Sequence, residues 1–251
     1  MIWTDYISFA AAGFAAQLVD GAIGMAYKVT TSALLLGLGI PPAVASATVH
    51  SASAITCAVS GWAHWRFGNV ERGLLLRLAV PGVVGGMAGA VLLAGIPADL
   101  IRPVVSVYLV AMGGYIVWRA LRAAPRTAST ARTSGGPSPL GFVGGLCDAV
   151  GGGGWGPIVT TALVGSGVPA RMAIGTTNAA EFFVTVAIAG ALVTAIGGAL
   201  WPIVAALVAG GAMAAPLAAY ASKHLPERWL MLAVGILVAA ISARTLILAL
   251  A

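Results

Sequence analysis

The sequence predicts an all-α, polytopic membrane protein made of two inverted five-segment repeats. It would hold about 8–10 membrane segments, short interrupted or re-entrant helices included. Three observations predict this. Of 251 residues, 60% are hydrophobic and only 8% charged, where a soluble domain carries about 25%; so few charges cannot build a water-facing surface. The apolar residues gather into long runs broken by basic or Gly/Pro-rich stretches. Finally, a shift of 128 residues lays the second half over the first.

In chain order, residues 1–121 form the first repeat, with apolar runs at 3–19, 29–38, 43–62, 74–94 and 100–120. Residues 122–139, rich in Arg, Ser, Thr, Gly and Pro, read as a polar cytoplasmic linker. Residues 140–251 form the second repeat, with runs at 140–150, 158–164, 170–196, 200–220 and 229–250. A helix needs about 20 residues to cross a bilayer, so the runs at 29–38 and 158–164 are half-helices or shortened spans.

Charge sets the orientation. Arg66, Arg72 and Arg77 follow the third run, Arg119, Arg122, Arg126 and Arg132 the fifth, and Arg171, Lys223 and Arg228 mark the second half. Placing these clusters in the cytoplasm gives one path with both termini outside. Trp62 and Trp65 fall where an interfacial aromatic belt belongs. The net charge of +6 thus belongs to segment ends and not to a nucleic-acid surface. The opening Met-Ile-Trp-Thr-Asp-Tyr lacks the basic start of a removable signal peptide. Cys57 and Cys147 stand alone in apolar runs, without CxxC spacing, and read as core residues; no metal or cofactor is expected.

In the 128-residue register, Gly13 and Phe14 fall on Gly141 and Phe142, Asp20 on Asp148, Gly24 on Gly152, Gly39 on Gly167, Pro41 on Pro169 and Thr48 on Thr176. Five segments per half put the second half into the membrane upside down, the organisation of many secondary transporters, whose sites lie where interrupted helices meet.

The stretch DAVGGGGWGP, residues 148–157, is such an interruption. Free backbone groups at membrane depth must line a cavity or be satisfied by protein. Gly152, Gly153 and Gly154 let the chain turn and approach a ligand, and Pro157 suits the first turn of a new helix. The amides of Gly154, Trp155, Gly156 and residues 158–160 are then expected to face an anion, with Thr160 and Thr161 beside them. The counterpart in the first half is Gly24, Ala26, Tyr27 and Lys28, opening the run that carries Thr30 and Thr31. The competing reading is that the glycines only permit close helix packing. Asp20 and Asp148 are either coupling acids or caps for amides freed by the breaks.

The following runs carry a polar stripe. Thr177, Asn178 and Glu181 in the second half lie over residues 49, 50 and 53, and positions 46, 50 and 53 share a helical face, as do 174, 178 and 181. His50 and Glu181 fall roughly 12–18 Å from the starts of their helices. His50 and Asn178 are expected to donate to an oxyanion, or His50 to bond a neighbouring helix. Glu181 either couples to protons or pairs with Lys28. No nucleophile–base pair has enzymatic spacing.

The stretches "DGAIGMAY…LGIPPAVASATVH…SGWAHWRFGNV" and "DAVGGGGWGPIVTTALVGSGVPARMAIGTTNAAEFFVT" resemble the TauE/SafE family of membrane transporters over nearly the whole chain. The resemblance implies export of sulfite or small organosulfonates across a bacterial inner membrane, with a small anion and the lipid bilayer as partners and a homodimer as an open assembly. The alternative is a cation- or proton-coupled importer, or a channel, for another small solute. Two departures make the halves unequal. Lys28 stands where a small residue is expected, either adding charge to an anion site or snorkelling to the interface, and Ser53 stands opposite Glu181.

Overall fold

The computed structural model describes residues 3–23, 26–122, 136–224 and 227–251. They are helical nearly throughout, with no strand among them. In order the helices are α1 (Trp3–Ile23), α2 (Tyr27–Gly37), α3 (Pro42–Arg66), α4 (Arg72–Gly95) and α5 (Ala98–Leu121), then α6 (Pro137–Gly151). A π-helical turn, Gly156–Thr160, runs into α7 (Thr161–Gly165). After it come α8 (Ala170–Ile196), a 3₁₀ turn (Gly198–Leu200), α9 (Trp201–His224) and α10 (Glu227–Leu250). Most of the expected polar linker, positions 123–135, lies outside the described residues, as do Gly24 and the side chain of Asp20.

The 128-residue register reappears in the backbone. Helices α3, α4 and α5 begin 128 or 129 residues before α8, α9 and α10. The turn after α2 is closed by Gly39 N donating to Leu36 O and Ile40 N to Leu35 O; after α7, Gly167 N donates to Val164 O and Val168 N to Leu163 O. Gly39 and Gly167 adopt φ of 88° and 92°, the left-handed region that glycine enters without strain. Pro41 and Pro169 then cap α3 and α8 in the same extended conformation. Packing follows suit. Helix α1 lies against α9, α4 against α6, α3 against α8 and α5 against α10. Exchanging each helix for its counterpart turns the first pair into the second and the last two into themselves.

Five described helices are long and apolar enough to cross a membrane: Pro42–Arg66, Arg72–Gly95, Ala98–Leu121, Ala170–Ile196 and Arg228–Leu250. Their outer faces suit lipid. On α4, Leu76, Val80, Val84, Met87 and Val91 are exposed at helical spacing, while Leu74, Leu78, Gly82, Gly86 and Leu93 are buried. Polar groups are turned inward instead: Lys28, His50, Asp148, Thr176 and Thr177 are all buried. This is a multi-pass membrane protein with a polar interior where the two interrupted segments meet.

Candidate functional site

The site begins at the end of α6. Gly151 closes the helix and Gly152 turns with φ of 65°. Asp148, in the last turn, is wholly buried. Its Oδ1 accepts from the amides of Gly154 at 2.9 Å and Trp155 at 3.2 Å, groups the turn would otherwise leave bare. The carbonyls of the break are met from other helices. Ser46 Oγ on α3 donates to Ala149 O at 2.6 Å, Ser32 Oγ on α2 to Gly152 O at 2.9 Å, and the Tyr108 hydroxyl on α5 to Gly153 O at 2.7 Å. A Cβ on Gly151 or Gly154 would strike Tyr108, and one on Gly153 the backbone of Lys28 and Val29. The glycine run thus seats α2 and α5 directly on the break. The expectation that these amides lie open to an anion is corrected at Gly154 and Trp155, where a carboxylate of the chain already takes them.

Lys28 reaches in from the first turn of α2. Its Nζ lies 2.5 Å from Asp148 Oδ2 and 2.7 Å from Glu181 Oε1 on α8. It is 8% exposed and points between two carboxylates, so it does not snorkel. His50 Nε2 on α3 lies 3.2 Å from Asp148 Oδ2, while its Nδ1 lies 2.8 Å from the Ser46 carbonyl. Both ring nitrogens face acceptors, and a neutral imidazole donates through only one of them. Trp155, fully buried, donates through Nε1 to Thr177 O at 3.1 Å, and Thr160 Oγ1 donates to Thr177 Oγ1 at 2.9 Å. These bonds fix the π-helical turn to α8.

A cavity of about 390 Å³ opens beside this cluster. Of the residues singled out from sequence, Tyr27, Lys28, Ser53, Gly153, Gly154, Gly156, Pro157, Thr160, Asn178 and Glu181 line it. His50 and Asp148 stand behind the wall, in contact with Lys28 or each other. Gly152, Trp155 and Thr177 hold the break, and Ala26, Thr30 and Thr31 are buried around the start of α2. Thr161 is turned away, its Oγ1 accepting from Arg119 Nη1 at 3.2 Å. The sequence reading missed Thr56, Cys57, Ser60 and His64, which also line the cavity. The signal was present: 53, 57, 60 and 64 continue the face of 46, 50 and 53 along α3. Cys57, expected as plain core, is a wall residue.

The family model described as Sulfite exporter TauE/SafE matches residues 9–245. A Bacillus subtilis (strain 168) protein named "Probable membrane transporter protein YtnM" is 39% identical over 247 residues, covering 96% of this chain and 82% of the relative. No solved structure matches. Both similarities are to membrane transporters rather than enzymes, and both span the two breaks and the cavity between them. The chain belongs to the TauE/SafE family of membrane transporters.

Proposed function

We propose that this chain is a secondary transporter that exports a small sulfur oxyanion, sulfite or an organosulfonate. Two inverted halves would rock around the cavity between α2, α3, α8 and the break after α6. The observation that carries this reading is the buried Lys28 ammonium on the wall of a cavity that mixes polar and apolar groups. On the same wall Asn178 donates one N–H to Ser60 Oγ, which leaves its second N–H and the Ser60 hydroxyl proton to donate to oxyanion oxygens, while the hydroxyls of Ser53, Thr56 and Thr160 donate within the protein. A volume of about 390 Å³ lies near the lower end of ligand pockets, roughly 300–1,000 Å³, and leaves room for a small anion with water or an organic tail. An inside-negative potential favours exit of net negative charge, by about 2.3 kcal/mol per charge per 100 mV.

A second reading, import coupled to a cation, draws on the two carboxylates. Sodium is the weaker coupling ion, because Lys28 Nζ occupies the place between Asp148 and Glu181 that a metal ion would need. The test is counterflow in proteoliposomes with labelled sulfite against sulfonates, sulfate and thiosulfate. Exchange of sulfite or a sulfonate supports the reading. Failure of every anion in the panel overturns it.

A further inference from the structure

Lys28 is held by two carboxylates in different settings. Asp148 is built into the fold: Oδ1 caps the amides of Gly154 and Trp155, and Oδ2 meets both Lys28 and His50. Removing it from Lys28 would dismantle the break after α6. Glu181 lies on the cavity wall, its side chain 12% exposed, with Oε1 2.7 Å from Lys28 Nζ. Lys28 and Glu181 line the same cavity, so an anion that reaches Lys28 there also meets Glu181.

Resting on the export reading above, we infer that substrate and the Glu181 carboxylate compete for Lys28, so that each anion is carried together with one proton. As the anion arrives at Nζ, Glu181 gives up its ion pair and takes a proton from the facing solution. When the anion leaves, Glu181 releases the proton and pairs with Lys28 again. The cluster's charge is the same before and after, whatever the charge of His50, because one anion has replaced another. A buried cluster tolerates this exchange far better than an added charge. Glu181 therefore stands in for the substrate in the empty carrier, and a monoanion crosses without net charge. Membrane potential then drives only substrates that carry a second negative charge, and a monoanion follows its concentration gradient.

The other charged or titratable groups around Glu181 are Tyr27 and Lys28 on α2, Asp148 on α6, and His50, Cys57 and His64 on α3. Helix α4, also packed on α8, puts no described residue on the cavity wall.

The test measures binding and exchange of methanesulfonate, whose charge is constant across the range, in wild type, Glu181→Gln and Glu181→Asp between about pH 5 and pH 8. In the wild type, affinity falls with rising pH, toward a limit of about tenfold per unit for one linked proton. Glu181→Gln binds at least as tightly as the wild type at its acid optimum and loses the slope. Glu181→Asp keeps a slope. In vesicles without a pH gradient, wild-type methanesulfonate uptake is accompanied by proton uptake and is unmoved by an imposed potential. A slope that persists in Glu181→Gln, or uptake that responds to potential without moving protons, overturns the coupling while leaving anion transport standing. Absence of any sulfonate binding in all three proteins overturns the export reading itself.

Discussion

Lys28 Nζ lies 2.5 Å from Asp148 Oδ2, tying the first turn of α2 to the last turn of α6. In the internal register the counterparts of these two residues are Gly156 and Asp20. The pair therefore joins unlike positions of the two breaks. One half contributes the base, the other the acid and the glycine turn, and the polar interior depends on both.

That dependence makes Lys28 a stability residue as well as a cavity residue. Its partner Asp148 has no solvent exposure. Lys28→Met would leave the buried carboxylate with His50 and the Gly154 and Trp155 amides but without its lysine, at a cost of up to about 3–5 kcal/mol. The double variant Lys28→Met/Asp148→Asn should recover part of that, since the wholly buried charge is gone and only Glu181, on the cavity wall, loses Lys28. Thermal unfolding of the purified proteins in detergent measures both. Equal losses in single and double variants would refute the pair as the source of the effect.

The glycine run makes a separate prediction. At Gly153 a Cβ would press on the backbone at Val29 N and Lys28 C, neither of which can rotate aside. Gly153→Ala should lower stability by about 1–3 kcal/mol and slow transport, because it pushes Lys28 away from Asp148. At Gly190, on the outer face of α8, a Cβ meets nothing within 4 Å. Gly190→Ala should be neutral or slightly stabilising, by up to about 1 kcal/mol. Unfolding midpoints of the two variants, measured side by side, check the contrast; a neutral Gly153→Ala would mean that α2 is not seated on the break.

Much of this was legible in the sequence because lipid enforces it. Apolar runs locate the helices, and Pro41 and Pro169 mark where α3 and α8 begin. The break at 148–157 was visible because glycine, acid and proline are all poor filler for a membrane helix. What these residues do there was harder to read. Whether an exposed amide faces a ligand or a carboxylate depends on side-chain reach, and Asp148 folds back six and seven residues to take those of Gly154 and Trp155. The pairing of Lys28 with Asp148 spans 120 positions and has no local signature. Cys57, Ser60 and His64 were hidden for another reason: one face of α3 both packs and lines the cavity, and spacing alone does not separate the two.

Asn178 provides the sharpest check on where the anion sits. Its Nδ2 donates to Ser60 Oγ at 3.2 Å, bridging α8 to α3 across the cavity wall, one helical turn from Glu181. Asn178→Asp changes few atoms but sets a second carboxylate in front of an incoming anion. A like charge about 6 Å away, at an effective dielectric near 20, costs roughly 3 kcal/mol, on the order of a hundredfold in affinity. The loss should be greatest at high pH and shrink as acid neutralises the new carboxyl group. Asn178→Ser removes the bridge without adding charge and should cost far less. Sulfonate counterflow of the two variants across pH separates charge from structure. Wild-type exchange by Asn178→Asp at high pH would place the transported anion away from this wall, because Lys28 and residue 178 line the same cavity.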